Sequence, residues 1–163
     1  MKAKLILTAA LVAAVFFAIG RTTADTHTKL HPKTMQNLST AMHGEAFAFA
    51  KYTLFAERAR KAGNAELADL FESAAKTERF EHFAEEAELY GLVGSDADNL
   101  SDAIKGESYE VETMYAEFSK QAAEAGDKAA AGRFAEIRQD EMKHRDSFKA
   151  ALADLQRKPV KGN

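Results

Sequence analysis

Two short steps in this chain pair groups that could bind a metal. Glu78-Arg79-Phe80-Glu81 and Glu141-Met142-Lys143-His144 each place a carboxylate three positions before a second donor. Residues three apart share one face of a helix. Glu45 precedes the first step, and Glu107 and Glu110 precede the second. Four helices packed together would aim these six carboxylates and one imidazole at a single interior point. Such a concentration of negative charge is tolerated inside a protein only when cations neutralise it. Hard cations take oxygen donors, and iron or manganese accept carboxylate together with imidazole. The spacing therefore predicts a metal centre, and the number of carboxylates predicts two ions.

The elements that must position these groups are helices. Pro32 and Pro159 are the only prolines, so nothing between them is barred from a helix. Helix A is expected from about Thr34 to Lys61, with Met42, Glu45, Phe49, Tyr52 and Ala56 on one face and Gly63 as its stop. Asn64 caps helix B, which carries Leu67, Leu70, Phe71, Ala74, Glu78 and Glu81 inward and ends near Gly91. Leu92–Gly106 reads as a long crossover rich in turn formers, with a short helix around Ser101–Ile104. Helix C follows from about Glu107 to Ala125. Gly126 ends it, and Asp127 caps helix D, with Phe134, Ile137, Glu141, His144, Phe148 and Leu152 inward.

The two halves repeat. Asn64 to Phe71 matches Asp127 to Phe134, Asn64 to Glu78 matches Asp127 to Glu141, and Gly44-Glu45 matches Gly106-Glu107. A duplicated helical hairpin joined by one long crossover gives an all-α four-helix bundle of ferritin-like connectivity. The domain plan is a leader at 1–24, a polar stretch at 25–33, the bundle at 34–155 and a tail at 156–163.

The leader reads as a secretory signal: Lys2 and Lys4 precede an apolar run from Leu5 to Ile19, then Gly20 and a polar stretch to Asp25. The run is short for a membrane span, with an uncleaved anchor as the alternative. Export, to a periplasm in a bacterium, is the expected localisation. Gly20 and Ala24 both offer a cleavage point; a cut after Ala24 removes three basic residues, leaving 19 Lys+Arg against 25 acidic residues and a balance of −6. No basic stripe remains to meet phosphates, which argues against a nucleic-acid partner. Without cysteine, disulfides and thiolate metal sites are excluded.

Taken together, Gly44-Glu45-Ala46 with Tyr52, Asp69-Leu70-Phe71 with Glu78-Arg79, Gly106-Glu107-Ser108-Tyr109-Glu110 with Met114-Tyr115, and Glu141-x-x-His144 resemble the rubrerythrin family over roughly residues 36–152. The resemblance implies a ferritin-like bundle whose non-haem di-iron centre reduces hydrogen peroxide to water. Glu45, Glu78, Glu107, Glu110, Glu141 and His144 match the family's iron ligands, and Tyr52 and Tyr115 match tyrosines that flank the iron pair. An iron–manganese or manganese pair has the same ligand preferences. The family usually has histidine three residues after the helix-B glutamate, where this chain has Glu81. The internal repeat favours Glu81 as that ligand, with His82 as the substitute if a local π-bulge swings it inward. The family often carries a rubredoxin-like domain, for which this chain has no cysteines, so an external electron donor is expected. A homodimer, with helices exchanged through the crossover, is also implied by the resemblance. The alternative to a peroxidase is a ferroxidase or iron-binding protein that uses oxygen and has no dedicated peroxide role.

Overall fold

The computed structural model describes residues 30–157. The leader, His27 and the last six residues lie outside the described residues. The fold is all-α and ferritin-like, with no strand among the described residues. Helix α1 (Pro32–Lys61) is the expected helix A, started two residues earlier by Pro32. Proline suits a first helical position because its fixed φ matches the helix and its missing N–H would have had no partner there. Helix B consists of α2 (Ala65–Thr77), a π turn π1 (Glu78–His82) and α3 (Phe83–Tyr90). Helix C consists of α4 (Asp96–Tyr109), a second π turn π2 (Glu110–Met114) and α5 (Tyr115–Glu124). Helix D is α6 (Lys128–Arg157), which extends two residues into the expected tail.

The hairpin loops are built alike. Gly63 (φ 79°) and Gly126 (φ 87°) take the left-handed conformation that ends a helix. The next amide reaches back to the last turn, from Asn64 to the Ala59 carbonyl (3.0 Å) and from Asp127 to Ala122 (2.9 Å). Asn64 then starts α2 by accepting the Leu67 amide on its side chain at 3.1 Å.

The connection between hairpins is shorter than expected. Helix C begins at Asp96 and not at Glu107, because Ser95 and Asp98 form a reciprocal capping box. Residues read as turn formers are the start signal of a helix, and only 91–95 remain as linker.

Packing runs within hairpins. Helix α1 packs on α2, π1 and α3, and α6 packs on α4, π2 and α5. No helical residue of one hairpin brings its Cα within 8 Å of a helical residue of the other. The buried seam of the first hairpin is made of small side chains, Ala56, Ala59, Ala68, Ala75 and Ala87, with Met42. In the second hairpin only Val111 is fully buried. Aromatic trios repeat between the halves. Tyr52 and Phe55 lie 6.1 and 5.3 Å from Phe71, and Tyr115 and Phe118 lie 6.2 and 5.6 Å from Phe134. Phe47, Leu54, Leu70 and Phe80 remain 63–69% exposed. Basic side chains lie over two of these rings, Lys51 over Phe47 and Arg79 over Phe80.

Candidate metal centre

Each hairpin gathers one carboxylate–imidazole group. In the first, Glu45 comes from α1, and Glu78 and His82 are the first and last residues of π1. His82 Nδ1 lies 2.8 Å from Glu78 Oε2 and 3.9 Å from Glu45 Oε2. In the second, Glu107 comes from α4, and Glu141 and His144 come from α6. His144 Nδ1 lies 2.7 Å from Glu141 Oε2 and 3.9 Å from Glu107 Oε1. Within each trio the potential ligand atoms all lie within 4.8 Å of one another. In both trios the carboxylates are largely covered and the imidazole is about half exposed.

The register of π1 decides which residue of helix B faces Glu45. On a regular helix, positions three and four beyond Glu78 compete for its face. A π turn adds one residue per turn, so His82 takes the place beside Glu78. Glu81 is exposed and belongs to neither trio. The expectation that Glu81 would lie opposite His144 is corrected by this added residue, and the substitute, His82, is the one brought in. The π turn on helix C has the mirror effect. Seven residues separate Glu45 from Tyr52, whereas eight separate Glu107 from Tyr115, and π2 lies in that interval. The carbonyl of Val111 within π2 accepts a bond from Arg138 Nε at 2.7 Å.

Glu110, the first residue of π2, sits near enough to Glu141 and His144 for their charges to act on it. Tyr115 lies within electrostatic reach of Glu110, Glu141 and Glu107. Tyr52 stacks on Phe71 in the first hairpin. His43 is exposed, with its ring nitrogen Nδ1 2.6 Å from the Ser39 carbonyl. The expected single point of convergence is two points within this chain, one on each hairpin.

The electrostatics fit a cation-binding role. Glu45 is held above the ordinary carboxylate value, first by a hydrogen bond with Glu78, then by burial and by the charges of Glu78 and Glu86. Burial, then the Glu141 charge, raises Glu107, and burial also leads in raising Glu110 and Tyr115. His82 is raised chiefly by its bond to Glu78. These shifts come from burial and from carboxylates crowded together, which a bound cation would offset. Glu107 Oε2 is buried with no hydrogen-bond partner, a costly state for a carboxylate oxygen unless something positive meets it. Carboxylates with imidazoles are the donor set that iron and manganese accept, so the residues present fit such ions.

Sequence reasoning missed Glu86. Glu86 is half-buried and acts on Glu45, whereas its neighbour Glu85 is exposed. The available signal was the unequal spacing, Glu78 to His82 against Glu141 to His144.

An all-α chain of ferritin-like topology with two carboxylate–imidazole trios belongs to the di-iron class of helical metal-binding proteins. Within that class, residues 36–152 match the Rubrerythrin family, and the chain belongs to it. It is 35% identical to the rubrerythrin of Porphyromonas gingivalis over 136 residues, covering 76% of this chain and 68% of that protein. It is 32% identical to nigerythrin of Nitratidesulfovibrio vulgaris over 136 residues, covering 75% and 67%. Among solved structures, mixed-valent nigerythrin matches with 32% identity, 95% coverage of this chain, 83% of that chain and a TM-score of 0.39.

Proposed function

We propose that this protein is a rubrerythrin-type oxidoreductase that reduces hydrogen peroxide to water at a carboxylate-bridged iron pair. The observation that carries the reading is the near-identical geometry of the two trios, one donor set presented twice. Glu45, Glu78 and His82 on one hairpin, and Glu107, Glu110, Glu141 and His144 on the other, are the residues that would hold the two ions. The overall reaction joins one peroxide, two protons and two electrons to give two waters. An iron pair, when bound, supplies the two-electron capacity, replenished by an external donor. The polypeptide supplies the rest. Its carboxylates and imidazoles would hold one ion on each hairpin. The raised Tyr115 hydroxyl keeps its proton beside Glu110 and Glu141, where it can hydrogen-bond a carboxylate or deliver that proton. Tyr52 holds the repeat-related position in the first hairpin.

Half-centres need to meet, and a second copy is the partner we assign. The hairpins of one chain make no helix-to-helix contact, while large apolar side chains stand exposed on the first hairpin. Fully burying each such side chain is worth about 1.5–3 kcal/mol. A homodimer in which the first hairpin of one copy packs on the second hairpin of the other covers these faces and joins the trios. The apolar Leu5–Ile19 segment supports export as the destination. The external donor would then be met outside the cytoplasm. Among the described residues, no helix is long and apolar enough to cross a membrane.

The test is anaerobic loading with ferrous iron followed by rapid mixing with peroxide or with oxygen. Oxidation by peroxide is expected to be much the faster. Equal rates, or faster reaction with oxygen, would replace this reading with a ferroxidase.

A further inference from the structure

Among the described residues, two buried side-chain oxygens lack a hydrogen-bond partner, Glu107 Oε2 and Glu86 Oε2. Glu107 belongs to a trio; Glu86 does not. Its position follows from the π turn. Regular α-helix resumes at Phe83, so Glu86 comes four residues after His82 and lies one turn further along the same face. Its charge acts on Glu45 on the opposite helix, and its oxygens stand outside the group of atoms that Glu45, Glu78 and His82 bring within 4.8 Å of one another.

The second hairpin has no counterpart. Four residues after His144 stands Phe148. Glu110, conversely, has none in the first hairpin, where the residue three after Glu45 is Ala48. Each hairpin thus has two glutamates, one histidine and a fourth acidic donor, and the fourth comes from helix B in one and helix C in the other.

We propose that Glu86 is a further carboxylate ligand for the cation held by Glu45, Glu78 and His82. This rests on the dinuclear reading above. It makes the donor set six carboxylates and two imidazoles, with Glu81 excluded. Six negative charges balance two trivalent ions, so Glu86 biases the centre toward its oxidised form.

The test is anaerobic titration of the metal-free full chain with manganese(II) or cobalt(II), read by calorimetry and, for cobalt, by its visible spectrum. The wild type is expected to take up two ions per chain. In Glu86→Gln, one binding step should weaken about 10- to 100-fold, the range seen when a supporting group around a metal is lost, while the other stays within about twofold. Glu86→Asp, which keeps the charge on a shorter arm, should fall between. Glu85→Gln, at the exposed neighbour, should match the wild type. Two unchanged steps in both Glu86 variants, or equal weakening of both steps, would overturn the assignment. A wild type that binds no pair of ions would instead remove the dinuclear reading itself.

Discussion

The two hairpins present the same donors from different backbones. The first draws histidine into line with a π turn on its second helix. The second has a regular α6, with Glu141 and His144 three apart, and places its π turn on the first helix, where it carries Glu110. Yet the imidazole-to-carboxylate distances agree between them within 0.1 Å, 2.8 against 2.7 Å and 3.9 against 3.9 Å. What the halves share is the placement of ligand atoms, and the local helical register differs to serve it. Their interiors differ as well. The first is a seam of alanines that lets helices approach closely. The second is tied by polar links, Arg138 to the Val111 carbonyl and Ser119 to the Ala131 carbonyl at 2.9 Å.

The largest expected effect breaks the equivalence outright. Glu78→Ala in the first hairpin or Glu141→Ala in the second should each abolish loading of the metal pair, measured as ions per chain. Refolding the two variants together tests where the centre is assembled. In a dimer of exchanged hairpins, half the mixed dimer's centres draw both hairpins from intact halves, so about a quarter of all centres return. A centre built within one chain returns none.

Next comes the register of π1. His82→Gln should weaken manganese(II) binding by at least about 10-fold, while Glu81→Gln should stay within about twofold. Reversal of that order would restore the straight-helix reading of helix B.

The interiors should respond differently to substitution. Ala68 is completely buried, and Ala68→Leu should cost about 1–3 kcal/mol by overpacking. In the second hairpin Arg138→Ala leaves the Val111 carbonyl short of a partner, a loss of about 1–3 kcal/mol. Urea unfolding of the metal-free chain measures both. The second variant should also disturb the Glu110 side of the centre, and the first should not.

The smallest effect is on pH dependence. Glu45, Glu107, Glu110 and His82 all have raised values in the folded protein. A raised group contributes stability below its unfolded value and loses it as pH rises through its folded value. The carboxylates lose theirs above their ordinary 4.5 and His82 above its ordinary 6.5. Unfolding midpoints of the metal-free protein should therefore fall as pH rises from the acid side through neutrality. Added manganese(II) should remove that fall; a flat profile without metal would contradict the shifts.

Much of this was legible in the sequence. Glycines 63 and 126, the Asn64 cap and the periodic apolar faces gave four helices and the repeat, because each signal is local. The start of helix C was misread because Ser95 and Asp98 are turn formers and cap formers alike, and only the reciprocal bonds between them decide. Glu81 was preferred over His82 because a repeat counted in residues assumes equal residues per turn, which a π turn violates. The same error hid Glu86. The separation of the hairpins was not legible, since an apolar face records that it must be covered and not which copy covers it.

The five-residue linker has a consequence for how the molecule matures. With contacts confined to each hairpin, the chain has few distant pairings to search for, a topology that favours rapid folding. If joining hairpins requires a second copy, ion uptake becomes a second-order process. Freshly made chains at low abundance would then be folded yet incompetent, and mass action would set how much working catalyst a cell holds.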